Sequence, residues 1–476
     1  MVFASSVFLF LFFPLTLLLY YAPFAHSRAW RNGVLLAMSL LFYAWGEPVF
    51  VLVMLLSVWW NRFCALRLDA HEDRRGRKGW LCAAIVPDVA LLFLFKYLRF
   101  TFEQLGLLLG AGGLPRLNIE LPVGISFFTF QIMSYVFDVY YKKTAVQKSY
   151  AHLALYISMF PQLIAGPIVR YSTVAEEIVE RTETQADFTR GAVRFVQGLA
   201  KKVLLANYLA LIADNVFAFI GKPYPVATAW LGAVAYSMQI YYDFSGYSDM
   251  AIGMGLMFGF HFSENFNYSF TADSISDFWR RQHISLSQWF RDYVYIPLGG
   301  SRVSRARWVW NLFVVWALTG MWHGANWTYI VWGLYYFVLL VFEKFSGFPA
   351  RVKKHRVLCH AYALLFTAIG MVLFRAEDFG ATLSFIGNML GLHAAGLSDE
   401  LFAYYVSAGK WVLLAGMVFA TPVLPRLDRK MRALCRSRAA LGAYELCVAA
   451  GLCLVLALCV VVCVKSAYNP FIYFNF

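Results

Sequence analysis

Long apolar runs, separated by short polar or basic breaks, recur from one end of this 476-residue chain to the other. A helix needs roughly 20 apolar residues to cross about 30 Å of hydrocarbon. On that measure the pattern predicts spans near residues 2–22, 33–46, 48–60, 80–98, 121–140, 151–169, 191–220, 226–244 and 247–260. Five more are predicted at 308–322, 326–343, 357–374, 408–424 and 444–464. Several are short for a full crossing. The arms flanking Gly46-Glu47-Pro48, and those flanking His323, offer only about thirteen to eighteen apolar residues each, which predicts re-entrant or locally thinned segments. Irregular backbone at membrane depth is tolerated where it lines a protein cavity. The expected fold is therefore an all-α polytopic integral membrane protein with roughly 11–14 spanning or re-entrant helices. Residues 273–300 differ from the spans: they mix charged, polar and aromatic side chains, and should lie at the interface or line a cavity. Within them His283, Ser287 and Phe290 share a helical face by spacing. No internal repeat or low-complexity tract divides the chain, which reads as a single domain over 1–476.

Composition agrees. The chain is 61% hydrophobic and 14% charged, against about 25% charged in soluble domains. A formal net charge of +14 could point to nucleic acid, but the cations sit in short loops between apolar runs, where they set orientation. Basic segments at 61–79, 344–356 and 426–438 are expected inside the cell, and the acidic segment 375–406 outside. The tail 465–476 then emerges outside, and His323 lies deep in the membrane, reachable from the outer half. The eight cysteines lie largely in apolar runs, so neither a disulfide framework nor a metal site is expected. The run from Phe8 to Tyr21 has the length of a signal peptide but lacks a basic start, and is taken as a retained span.

Chemistry enters with His323, in the run Trp322-His323-Gly324-Ala325-Asn326-Trp327. A titratable group inside an apolar stretch is a functional candidate, and a neutral imidazole is the usual general base for a hydroxyl at neutral pH. The competing reading is a buried structural histidine packed by Trp322 and Trp327. His283, beside Arg280 and Arg281, is either a second functional histidine or an interfacial polar residue. Asp243 and Asp249 lie among apolar spans and need partners; a structural ion pair, a contact with Arg280 or Arg281, and the orienting of a histidine all remain open. Glu47 and Glu264 call for the same caution. The aromatic tail, residues 468–476, is either an interfacial anchor or a segment that inserts into a cavity.

Together these motifs resemble the membrane-bound O-acyltransferase family and, within it, the bacterial branch that includes the alginate O-acetyltransferase membrane subunit. The likeness is carried, in order, by residues 1–6 (MVFASS), 121–127 (LPVGISF), 160–167 (FPQLIAGP), 242–253 (YDFSGYSDMAIG), 264–266 (ENF), 278–281 (FWRR), 283–287 (HISLS) and 322–326 (WHGAN). Gln282 stands where the branch commonly has Trp, and Gln162 where it often has His. The resemblance implies helices around a central funnel or tunnel, with His323 as the catalytic histidine and His283 as the second one. Asp243, Asp249, Arg280, Arg281, Ser287, Trp322 and Asn326 are the expected binding or supporting residues. No bound cofactor or metal is implied. Acetyl-CoA is the expected donor, approaching from inside, while the acceptor hydroxyl arrives from outside.

The end of the tail is similar to an aromatic Phe-x-Tyr motif on a small partner in the related D-alanine transfer system. Tyr473 is therefore a candidate acyl acceptor, its phenol being easier to deprotonate than a serine hydroxyl. The expected setting is the bacterial inner membrane, with both termini outside. Membrane lipid, a separate extracytoplasmic acetyltransferase and, through it, a polysaccharide are the expected partners, without nucleic acid. Two alternatives stay open: transfer of D-alanyl or another acyl group by the same route, and a glycan or lipid transporter without acyl chemistry.

Overall fold

The computed structural model describes residues 1–23, 26–110, 119–164, 166–218, 220–352, 354–376 and 378–465, with Tyr468 and Pro470. All regular structure among them is helical. The main helices are α1 (Phe8–Tyr20), α2 (Arg28–Ala44), α3 (Phe50–Ala70), α4 (Arg74–Leu108), α5 (Ile125–Tyr140), α6 (Gln185–Phe217) and α7 (Val226–Met257). They continue with α8 (Ile275–Arg281), α9 (Ile284–Phe290), α10 (Arg305–His323), α11 (Trp327–Ser346), α12 (Arg356–Arg375), α13 (Glu400–Phe419), α14 (Val423–Leu434) and α15 (Arg438–Lys465). Seven of them, α3, α4, α6, α11, α12, α13 and α15, are long and apolar enough to cross a membrane. The protein is an all-α, multi-pass membrane protein.

The helices outrun the apolar cores from which they were expected. α3 continues to Ala70 and α4 begins at Arg74, so the basic stretch 61–79 is mostly helix. Segment 426–438 is likewise helical over most of its length, in α14. A helix keeps its backbone hydrogen bonds past the hydrocarbon edge, and long cationic side chains reach water from there. The arms around residue 46 have 17 and 21 residues, and those around His323 have 19 and 20. α2 keeps to the short length that the apolar pattern predicts, and α3, α10 and α11 exceed it; of the four only α3 and α11 are long and apolar enough to cross a membrane.

A second correction concerns residues 226–260, expected as two spans meeting near Gly246. Residues 226–257 form one helix, α7, of 32 residues, most of them buried. Gly246 is a contact surface and not a break. A Cβ there would lie 2.8 Å from the carbonyl oxygen of Gly198, and one on Gly253 would lie 2.6 Å from that of Gly191. Two glycine pairs, each seven residues apart, thus let α6 and α7 approach backbone to backbone, the small-residue packing that stabilises helices in lipid. α7 also packs on α12 and α13 and forms the centre of the bundle.

Candidate active site

His323 is the last residue of α10. Gly324 follows in extended conformation, and the Asn326 side chain caps α11 by accepting from the backbone N–H of Thr328 at 3.0 Å. The α10–α11 hairpin is tight because Gly320 and Gly333 face each other where a Cβ would strike the opposite backbone. The His323 ring is 9% exposed. It meets Trp322, Trp332 and Phe374 edge to face, with centroid distances of 5.0, 4.9 and 5.1 Å. These rings fix its orientation by packing, in the manner expected of aromatic clusters.

His283 occupies the turn between α8 and α9. Its backbone is left-handed, at φ +47° and ψ +54°, a conformation that costs a non-glycine residue free energy and persists only when its surroundings enforce it. Asn265 provides that enforcement. Its carbonyl accepts from the N–H of Ile284 at 2.9 Å, and its side chain accepts from the Ser285 N–H and hydroxyl at 3.1 and 2.9 Å. The His283 ring stacks between Phe127 and Phe266 and meets Trp322 edge to face at 5.9 Å. It is 6% exposed, and neither ring nitrogen is hydrogen-bonded to another described residue.

Both histidines line one cavity of about 590 Å³. Trp279 and Trp316 wall its middle, and Arg280 and Ser287 project along it. Trp308, Arg291, Lys344 and Pro349 lie where α10 begins and α11 ends, so the cavity reaches from His323 to that end of the bundle. Glu343 stabilises this wall: its carboxylate accepts from the N–H groups of Ile275 and Ser276, at 2.6 and 2.9 Å, and thereby caps α8. A second, much smaller cavity of about 20 Å³ also touches His323, bounded by Lys96, Ser126, Phe127 and Trp322. Among the described residues no three His, Cys, Asp or Glu side chains form a metal-binding group.

The structure thus brings together His323, His283, Arg280, Ser287 and Trp322. It separates others from them. Asp243 pairs with Lys202 at 2.6 Å, and Asp249 pairs with Lys201 at 2.6 Å and Arg194 at 2.9 Å; neither acid meets Arg280 or Arg281 or lines either cavity. Arg281 turns to Asp277 at 2.8 Å. Glu264 pairs with Arg194, and Glu47 accepts from the N–H of Val123. Asp243, Asp249 and Arg281 sit on helix faces that the sequence does not orient and pair with nearby opposite charges, while Glu264 and Glu47 lie outside the helices. Tyr473 lies outside the described residues. Lys96 and Glu343 escaped the sequence reading, although a lysine inside the run LLFLFKYL is itself a signal.

Comparison with known proteins follows the same lines. The membrane-bound O-acyltransferase family model matches residues 85–374. The chain is 40% identical over 435 residues to the probable alginate O-acetylase AlgI of Pseudomonas syringae pv. tomato, covering 89% of this chain and 80% of that protein. It is 44% identical over 382 residues to the probable alginate O-acetylase AlgI of Pseudomonas aeruginosa, covering 79% and 72%. It is also 32% identical over 459 residues to the peptidoglycan O-acetyltransferase of Helicobacter pylori, covering 89% and 86%.

Proposed function

Because the chain belongs to the membrane-bound O-acyltransferase family and is an acyltransferase of the membrane, we propose that it passes an acetyl group from a cytoplasmic thioester, acetyl-CoA, to a hydroxyl on the opposite side. The acetyl group serves the O-acetylation of an exported or cell-wall polysaccharide, as the names of the alginate and peptidoglycan relatives suggest. A separate extracytoplasmic acetyltransferase delivers it to the polymer. Family membership favours acyl chemistry over the transport alternative.

One observation carries this reading: His323 stands on the wall shared by the large and the small cavity. A cavity of about 590 Å³ has the size of a small-molecule site. Its end at Arg291 and Lys344 offers cations to phosphate groups. By the distribution of Lys and Arg that end faces the cytoplasm of a bacterial inner membrane. A multiply charged nucleotide stays there, because charge is expensive to carry across hydrocarbon, and only the neutral acyl group crosses.

In this mechanism the acceptor oxygen attacks the thioester carbonyl while the His323 imidazole takes its proton. Collapse of the tetrahedral adduct breaks the carbon–sulfur bond, and the imidazolium returns the proton to the departing thiolate. His283, with both ring nitrogens uncommitted to described residues, donates a hydrogen bond to the thioester carbonyl. Arg280 and Ser287 line the donor's path. Tyr473 is the proposed acceptor, carrying the acetyl as a phenolic ester to the extracytoplasmic partner.

The test is thiol release from acetyl-CoA, together with transfer of labelled acetyl to the protein, by purified full chain in proteoliposomes. His323→Ala should slow both by about 10²–10⁴-fold, the usual contribution of a general base. Equal rates in wild type and variant would remove His323 from the chemistry. Mass spectrometry of the terminal peptide decides on Tyr473: label there supports the relay, and its absence in a variant that cannot pass the group on overturns it.

A further inference from the structure

Within α4 the residues Phe93–Tyr97 form a π-helical turn. Such a turn inserts one residue and rotates the side chains that follow it, and it recurs at functional sites. Here it turns two consecutive polar side chains toward the end of α10. The Lys96 ammonium donates to the backbone carbonyl of Trp322, and the Tyr97 hydroxyl donates to that of Met321. Carbonyls in the last turn of a helix lack intrahelical partners, so both groups cap the segment that ends in His323.

Capping accounts for Tyr97 but not for the charge on Lys96. A lysine ammonium has three N–H donors. One is given to Trp322, and Ser126 Oγ, at 3.4 Å, takes a second weakly. Among the described residues no Asp or Glu forms an ion pair with it. The ammonium also lies 5.7 Å from the centroid of the Trp322 ring, a cation–π contact, but a cation without a carboxylate partner in a membrane helix is costly, and a neutral donor such as Tyr97 caps as well. Lys96 also bounds the small cavity, on the wall that includes His323. That cavity, about 20 Å³, has room for about one water-sized group. His323 lines both this cavity and the donor cavity, and Lys96 lines this one alone.

We propose that Lys96 is a catalytic residue whose ammonium holds the acceptor oxygen in this one-oxygen pocket and stabilises the negative charge that develops as the oxygen attacks. The proposal rests on the acyl-transfer reading above. In the balanced step the acceptor O–H bond breaks and its proton passes to His323. The new carbon–oxygen bond forms as the carbonyl electron pair moves onto its own oxygen, and the pair returns when the carbon–sulfur bond breaks. Lys96 neither gives nor takes a proton in this step. Its work is electrostatic, and a preorganised charge in a water-poor site is the kind of group that lowers such barriers most.

The experiment compares wild type, Lys96→Met, Tyr97→Phe and His323→Ala in proteoliposomes, reading thiol release from acetyl-CoA and its KM. Lys96→Met should reduce kcat by about 10²–10³-fold, the cost of removing one stabilising donor, with the KM for acetyl-CoA nearly unchanged because the donor occupies the other cavity. Tyr97→Phe, which loses a cap and no charge, should retain most of the rate. Wild-type kcat in Lys96→Met overturns the proposal, and so does an equal loss in Tyr97→Phe, which would make Lys96 a helix cap only. If Lys96→Met does not yield folded protein, Lys96→Gln takes its place, since it keeps an N–H for the Trp322 carbonyl without the charge. Failure of the underlying reading looks different: wild type and His323→Ala would then release thiol equally.

Discussion

Removing the carboxylate of Asp243 would take from the Lys202 ammonium the counter-charge that it meets in the centre of the bundle. The two groups are 2.6 Å apart, with side chains 2% and 4% exposed, and they join α7 to α6 at membrane depth. Lys202 also donates to the backbone carbonyl of Pro470, so one cation ties both helices to the segment after α15. Breaking a buried pair by deleting one partner costs about 3–5 kcal/mol, because the surviving charge keeps its desolvation penalty. Asp243→Ala should therefore lower the folded-to-unfolded ratio by roughly two to three and a half powers of ten. Replacing both charges with apolar residues of similar volume, as in Lys202→Met with Asp243→Leu, removes that penalty and gives up neutral contacts such as the hydrogen bond to Pro470, worth about 1 kcal/mol each. The assay is denaturant unfolding in detergent followed by tryptophan fluorescence, with thiol release measured on the same samples. The double variant should be more stable than Asp243→Ala and should keep its activity, since neither residue lines the site. Two results would refute this: single substitutions whose costs simply add in the double variant, or a double variant that is folded and inactive.

Two further outcomes follow from the packing. Gly246→Ala places a Cβ 2.8 Å from the Gly198 carbonyl oxygen, so α6 and α7 must separate; overpacking of this kind costs about 1–3 kcal/mol, measurable as a lower thermal midpoint in detergent, whereas an unshifted midpoint would show that the helices yield freely. Glu183, in the loop between residues 180 and 184, is pushed up by burial, but hydrogen bonds from Arg28 and Tyr20 and the charge of Arg28 outweigh that and hold it below the usual carboxylate range. A carboxylate so depressed contributes stability that is complete above its unfolded value of about 4.3 and is lost as pH falls through its folded value. The stability gap between wild type and Glu183→Gln should therefore narrow as pH is lowered from about 5 toward 3, and a gap constant over that range would disprove the linkage.

The sequence by itself determined the solvent, and with it the fold class. Apolar runs long enough for hydrocarbon can only be helices there, because every backbone N–H and C=O must find its partner within the segment. It also marked His323 and His283, since an imidazole is conspicuous where lipid is the surroundings. Tertiary structure decided what hydropathy cannot carry, namely which face of each helix meets which neighbour. Gly246 looks like a break in a hydropathy pattern and is a contact in the fold, because only the approach of Gly198 on α6 gives its missing side chain a purpose. Asp243 and Asp249 sit in a motif that suggests a site, yet their partners lie some 40 to 55 residues earlier in the chain on α6. Lys96 reads as a stray charge in a span until one π-helical turn aims it at the carbonyl before His323. Local sequence sets whether a helix forms, whereas rotation about its axis is set by contacts with distant residues, and the chemistry of this site depends on that rotation.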